Sequence, residues 1–187
     1  MYPALILAGG ASVRMGRNKA TMLVDGAPMI THVAHALRNA GCTTIIVASR
    51  DGFQRQEIRG VLSHMTDIEY TLDFDLERSA KSGLKSALRV CVERGIERIQ
   101  LAPCDTPWIQ GQVFRRLQNG SKPVMMPKGK RLQPLLSLID VTPVLSALER
   151  VPVRTSLTDT LRSVPNEVVA FAEVSCFRNV NTPTDLD

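Results

Sequence analysis

Short apolar runs alternate with amphipathic, helix-period segments through most of this chain, and that alternation limits the fold more than any other feature. Ala4 to Ala8, Thr44 to Ala48 (TIIVA), Ile68 to Leu72 and Ile99 to Ala102 read as buried strands. Residues 29–40 read as a helix with Ile30, Val33, Ala34 and Leu37 on one face and Gly41 as its stop. Residues 81–94 give the clearest helical pattern. Leu84, Ala87, Leu88, Cys91 and Val92 line one face, Lys81, Lys85, Arg89 and Glu93 the other, and Gly95 closes it. Residues 110–118 read as helical too. Near-continuous apolar strands need cover on both faces, so the expected class is α/β. The fold is Rossmann-like, a mostly parallel but mixed sheet with helices on both sides.

The second half changes character. Pro123 to Met126 and Leu135 to Asp140 read as strands with no full helix between them, which predicts a locally antiparallel or mixed region. Helices near 142–150 and 156–163 follow, then a strand at 167–174, and Thr184-Asp185-Leu186 reads as the start of a final helix. A chain of 187 residues with no linker, repeat or low-complexity stretch is expected to form a single domain over 1–187.

Composition excludes several classes. No apolar run approaches the roughly 20 residues of a membrane span, and no basic leader precedes the first strand, so a cytoplasmic location is expected. The net charge of +5 suits an anionic partner, while only 4% aromatic residues and no basic-aromatic stripe argue against a nucleic-acid surface. Cys42, Cys91, Cys104 and Cys176 are scattered without a CxxC pair and read as buried reduced thiols. His32, His35 and His64 form no ligand cluster.

The first strand breaks into Gly9-Gly10-Ala11-Ser12-Val13-Arg14-Met15-Gly16-Arg17-Asn18-Lys19. A buried strand running into a glycine-rich basic loop is what a phosphate site needs, because paired glycines let a ligand approach the backbone amides. The string is neither a P-loop nor a G-x-G-x-x-G dinucleotide fingerprint.

The full string LAGGASVRMGRNKA resembles the L-A-G-G-x-S-x-R-M-G-x-x-K signature of the molybdenum cofactor guanylyltransferases. These belong to the wider nucleotidyltransferases of glycosyltransferase-A-like fold. Further matches follow in order. Asp25-Gly26-Ala27-Pro28-Met29 resembles the family's G-x-P-L step, and Ala102 to Ile109 (APCDTPWI) its C-D-x-P-aromatic segment. Leu132-Gln133-Pro134-Leu135 also fits, and Phe177 to Pro183 (FRNVNTP) resembles the closing N-[VI]-N-T-P motif.

The resemblance implies Mg²⁺-dependent transfer of GMP from GTP to the terminal phosphate of molybdopterin, with release of pyrophosphate. Lys19 and Arg14 fall on family cations that neutralise the triphosphate, whereas Arg17 falls on a variable position. Leu7, Ala8, Gly9 and Gly10 match the segment that meets the guanine. Asp105 ends a predicted strand, where open parallel sheets bind ligands. Either it caps the turn before Thr106-Pro107 or, as the family match implies, it holds the metal. Asp73 matches the second nucleotide-site carboxylate, with Asp75 as the alternative placement. Gln133, Asn179 and Asn181 are pterin-side candidates. The family role further implies a molybdoenzyme or chaperone as recipient of the product.

The chain departs from the family pattern at Ser82-Gly83-Leu84-Lys85-Ser86, where G-P-L-x-G is usual, and at Ala48-Ser49, where some members carry Asn. The alternatives are a cytidylyltransferase acting on molybdopterin or on a sugar or alcohol phosphate with CTP, a non-catalytic nucleotide sensor, and an RNA-binding domain.

Overall fold

The computed structural model describes residues 1–9, 18–72 and 79–186. In chain order its strands are β1 (Ala4–Leu7), β2 (Leu23–Val24), β3 (Ala27–Pro28), β4 (Ile45–Ser49), β5 (Ile68–Leu72), β6 (Arg98–Pro103), β7 (Val124–Lys128), β8 (Leu138–Asp140) and β9 (Asn166–Ala170). Its α-helices are α1 (Met29–Asn39), α2 (Gly52–Val61), α3 (Ala80–Glu93), α4 (Gly111–Gln118), α5 (Val141–Arg150) and α6 (Leu157–Arg162).

The main sheet is seven-stranded, in the order β5-β4-β1-β6-β8-β7-β9. β5, β4, β1 and β6 run parallel. β8 is antiparallel to both its neighbours, and β7 pairs parallel with β9. The mixed region expected in the second half is therefore one reversed strand inside an otherwise parallel sheet. The chain builds outward from β1 to β4 and β5, then α3 returns it to β6 on the other side of β1. Strand order thus reverses between β1 and β6, which opens a crevice beyond their carboxyl ends.

Alternate strand residues face opposite layers. Ala4, Ile6, Ile45 and Val47 pack with Ile30, Val33 and Leu37 of α1, Ile58 of α2 and Phe114 of α4. Leu5, Ile46, Ile99 and Leu101 pack with Leu84, Leu88 and Cys91 of α3, Val144 and Leu148 of α5 and Leu161 of α6. Both faces are covered, which is why these strands read as continuous apolar runs. Val92, expected on the buried face of α3, is 46% exposed. All four cysteines are buried and free. None of the helices is long and apolar enough to cross a membrane, among the described residues.

Several boundaries differ from expectation. The strand expected from Leu135 begins at Leu138, because Pro134 opens a 3₁₀ turn over Pro134–Leu136. The strand expected over 167–174 ends at Ala170, and Ser175–Phe177 form a further 3₁₀ turn. Pro183–Leu186 is a 3₁₀ turn. Helix α2 was not foreseen from the pattern, since only Gln54 and Ile58 of its residues are buried. The β2–β3 hairpin turns on Asp25 (φ 48°) and Gly26 (φ 82°), and the Asp-Gly dipeptide is the signal that could have located it.

Candidate active site

Among the described residues, the segment after β6, the turn that begins at Lys19 and the closing segment around Asn181 come together at the crevice beyond β1 and β6. β6 ends at Pro103 and is followed by Cys104 and Asp105. The Cys104 N–H donates to Leu7 O at 3.2 Å, so this segment is aligned on the end of β1. Lys19 enters on the 3₁₀ turn Lys19–Thr21, which Asn18 caps by accepting the Ala20 N–H at 3.3 Å. Lys19 Nζ then donates to Asp105 Oδ2 at 2.8 Å. The two side chains are 14% and 21% exposed, so the pair is sheltered yet open to a ligand.

Asp105 uses only one oxygen in this contact. Its Oδ1 is buried and has no hydrogen-bond partner among the described residues. A buried, unsatisfied carboxylate oxygen is costly unless something else occupies it. Mg²⁺ commonly uses one or two protein carboxylates, completed by phosphates and water, and this lone carboxylate fits that pattern. No cluster of three or more His, Cys, Asp or Glu side chains suited to a metal occurs among the described residues.

The third member of the group is Asn181, whose Oδ1 accepts from Lys19 Nζ at 3.1 Å. The closing motif is held there by Val180, whose N–H donates to Asp105 O at 2.9 Å. Asp185 Oδ2 in turn accepts the N–H groups of Asn181 and Thr182, each at 2.7 Å. Those hydrogen bonds hold the Asp185 carboxyl below the ordinary aspartate range. Asn181, assigned from its motif to the pterin side, therefore stands against Lys19.

The other expected residues divide as follows. Leu7 is half-buried at the end of β1, and Gly9 is half-buried beyond it. Ala8 is buried, and its N–H is committed to Ala48 O at 2.9 Å. Ala48 and Ser49, at the end of β4, are both buried. Gln133 lines an open cavity of about 600 Å³ with Lys130, Arg131, Val174, Phe177 and Arg178. Asn179 is exposed on the same segment as Arg178. Gly10, Arg14, Arg17, Asp73 and Asp75 lie outside the described residues.

Sequence reasoning missed three contributors. Trp108 donates through Nε1 to Asp25 Oδ2 at 3.1 Å and carries the Arg178 guanidinium 4.5 Å above its ring, which ties the hairpin to the closing segment. Gln54 on the unforeseen α2 reaches Ala8 and Asn18. Ser82, at the departure from the family pattern, forms a reciprocal capping box with Ser79 at the start of α3. Cys104, beside Asp105, is no nucleophile: burial pushes its thiol up to about 12.

Taken together, a strand-order reversal, a sheltered Lys–Asp pair and an unsatisfied carboxylate oxygen mark an α/β protein with a candidate site beyond the carboxyl ends of β1 and β6. The MobA-like NTP transferase domain matches residues 4–168, and the chain belongs to that family of nucleotidyltransferases. Asn179 and Asn181 lie beyond the matched span. A probable molybdenum cofactor guanylyltransferase of Haloferax mediterranei is 31% identical, over 97% of this chain and 90% of its own length. Molybdopterin-guanine dinucleotide biosynthesis protein A of Archaeoglobus fulgidus shares the fold with a TM-score of 0.74 at 21% identity, covering 98% of this chain and 94% of that one. So does the 4-diphosphocytidyl-2C-methyl-D-erythritol synthase of Anaerococcus prevotii, with a TM-score of 0.81 at 13% identity, covering 100% and 92%.

Proposed function

We propose that this chain transfers GMP from GTP to the terminal phosphate of molybdopterin and releases pyrophosphate. The observation that carries nucleotidyl transfer is the Lys19–Asp105 pair at the β1/β6 reversal, with Asp105 Oδ1 buried and unpartnered. The choice of guanine and molybdopterin follows the name of the Haloferax relative.

In the reaction an oxygen of the acceptor phosphate forms a bond to the α-phosphorus of GTP, and the bond from that phosphorus to the β-phosphate oxygen breaks. A phosphate monoester has its second pKa near 6, so the nucleophile is already ionised at neutral pH and needs no general base. Charge repulsion is the obstacle. Lys19 lowers it by exchanging Asp105 and Asn181 for phosphate oxygens, a role suited to a compact ammonium. Asp105 would hold Mg²⁺, which when bound neutralises charge on the triphosphate and the leaving group. Arg14 is assigned the second cationic contact, Asp73 the second nucleotide-site carboxylate, and Leu7, Ala8, Gly9 and Gly10 the guanine side. Ala8 serves there as a wall, its N–H being used by Ala48.

The acceptor is assigned to the cavity of Lys130, Arg131, Gln133, Phe177 and Arg178, and Asn179, next to Arg178 in the chain, keeps its assignment to the pterin side. Cations, an amide and an aromatic ring suit an anionic pterin. The whole of 1–187 is read as one nucleotidyltransferase domain, cytoplasmic, with a molybdoenzyme or its chaperone taking the product.

Pyrophosphate release with Mg²⁺ and molybdopterin, compared between GTP and CTP, tests this reading. Release from GTP in preference to CTP is expected. Release from CTP alone replaces guanylyl with cytidylyl transfer.

A further inference from the structure

We infer that Gln54 is a positioning residue that sets Lys19 against Asp105. Gln54 is 2% exposed on α2, and all the polar capacity of its carboxamide used here goes to backbone or to Asn18. Nε2 donates to Ala8 O at 2.8 Å and to Asn18 Oδ1 at 3.2 Å, while Oε1 accepts the Arg50 N–H at 2.8 Å. One nitrogen thus joins the end of β1 to the residue that caps the Lys19 turn. One helical turn further along α2, Glu57 Oε2 accepts from Asn18 Nδ2 at 2.8 Å. Both ends of the Asn18 carboxamide are therefore held by α2, and Asn18 in turn fixes where Lys19 begins.

The same strand end serves the other half of the pair. Cys104, next to Asp105, bonds Leu7 O, and Gln54 bonds Ala8 O. Lys19 and Asp105 are each referenced to β1, one directly and one through Gln54. The position demands two donors and one acceptor in a buried space. Glutamine meets that demand. Glutamate has no donor and would set a carboxylate oxygen against Ala8 O and Asn18 Oδ1, and methionine has the length without the bonds.

The effect on turnover rests on the nucleotidyl-transfer reading, whereas the effect on Lys19 does not, so the test reads both. In Gln54→Met, without nucleotide, the acylation rate of Lys19 read by mass spectrometry is expected to rise about fivefold while exposed Lys122 stays constant, because the amine loses its fixed partner. With GTP, kcat is expected to fall about tenfold and KM to move by less than about threefold, the pattern of a misplaced transition-state cation. Asn18→Ala, a change at a half-buried site, is expected to reproduce both effects and decides the matter if Gln54→Met does not fold. An unchanged Lys19 acylation rate in a folded variant overturns the inference, as does a rise in KM with kcat intact. A wild-type protein that turns over neither GTP nor CTP removes the functional reading, and Lys19 acylation still decides the role of Gln54.

Discussion

Two sites in this molecule hold their cations under opposite conditions. At the β1/β6 crevice, Lys19 rests on Asp105 and Asn181. At the cavity between residues 130–133 and 174–178, Lys130, Arg131 and Arg178 come together with no Asp or Glu among the described lining residues. Arg178 is kept in place by the Trp108 ring and by donation to Asp185 O at 3.1 Å. A cation parked on a carboxylate is ordered in advance and can change partner during a reaction. Cations gathered without a carboxylate set up a field that draws an anion in. The first arrangement suits chemistry and the second suits docking.

The largest effects should come from the paired site. Lys19→Ala is expected to lower kcat about 10³-fold, the scale of losing one preorganised charge at a phosphoryl centre. Asp105→Asn keeps the shape and removes the charge, and a comparable loss is expected in a Mg²⁺ titration of pyrophosphate release. Circular dichroism unchanged from wild type would confine both losses to the site. At the cavity, Arg131→Ala is expected to raise KM for molybdopterin about tenfold and leave kcat near wild type, since a charge-assisted hydrogen bond is worth about 1.5–3 kcal/mol. That KM should also climb with ionic strength. If Arg131→Ala instead lowered kcat at constant KM, the division between chemistry and docking would collapse.

What could be read in advance follows the same division. The parallel core was legible because strands covered on both faces are apolar nearly throughout, as in Ile45 to Ala48; Ile99 to Ala102 follows the pattern except at Gln100, buried with its Nε2 donating to Leu101 O and Leu136 O. Lys19 and Asp105 were legible as a loop cation and a strand-end carboxylate. Their contact, across 86 positions of sequence, was not. Helix α2 escaped because its inward face amounts to Gln54 and Ile58, too little apolar surface to show a 3.6-residue period. Asn181 was placed with the acceptor because its motif says nothing about which neighbour folds against it. The Val180–Asp105 backbone bond, across the fold, brings it to Lys19.

Asn181 gives a smaller and sharper test. Its amide accepts one hydrogen bond from Lys19 at an exposed position, so Asn181→Ala is expected to lower kcat about threefold to tenfold, in line with a single hydrogen bond of about 0.5–1.5 kcal/mol. Steady-state kinetics with each substrate varied in turn separates the two ends of the molecule. A rise confined to KM for molybdopterin would return Asn181 to the acceptor side.

The smallest expected effect is one of pH. Asp185 accepts from the N–H groups of Asn181 and Thr182 and from Thr182 Oγ1, and these bonds favour its carboxylate form. A carboxyl held below its unfolded value stabilises the closing turn fully above the ordinary aspartate pKa of about 3.9. That stabilisation is lost as pH falls through the lower folded value. Between neutrality and about pH 5 the turn, and with it the Asn181–Lys19 contact, should therefore be indifferent to pH. Amide proton shifts of Asn181 and Thr182 followed by NMR should titrate together below the ordinary aspartate range, and in Asp185→Asn the titration should vanish. A midpoint above that range would mean that Asp185 does not cap the turn. Asn181 would then lack the anchor that keeps it at the chemical end of the molecule rather than the docking end.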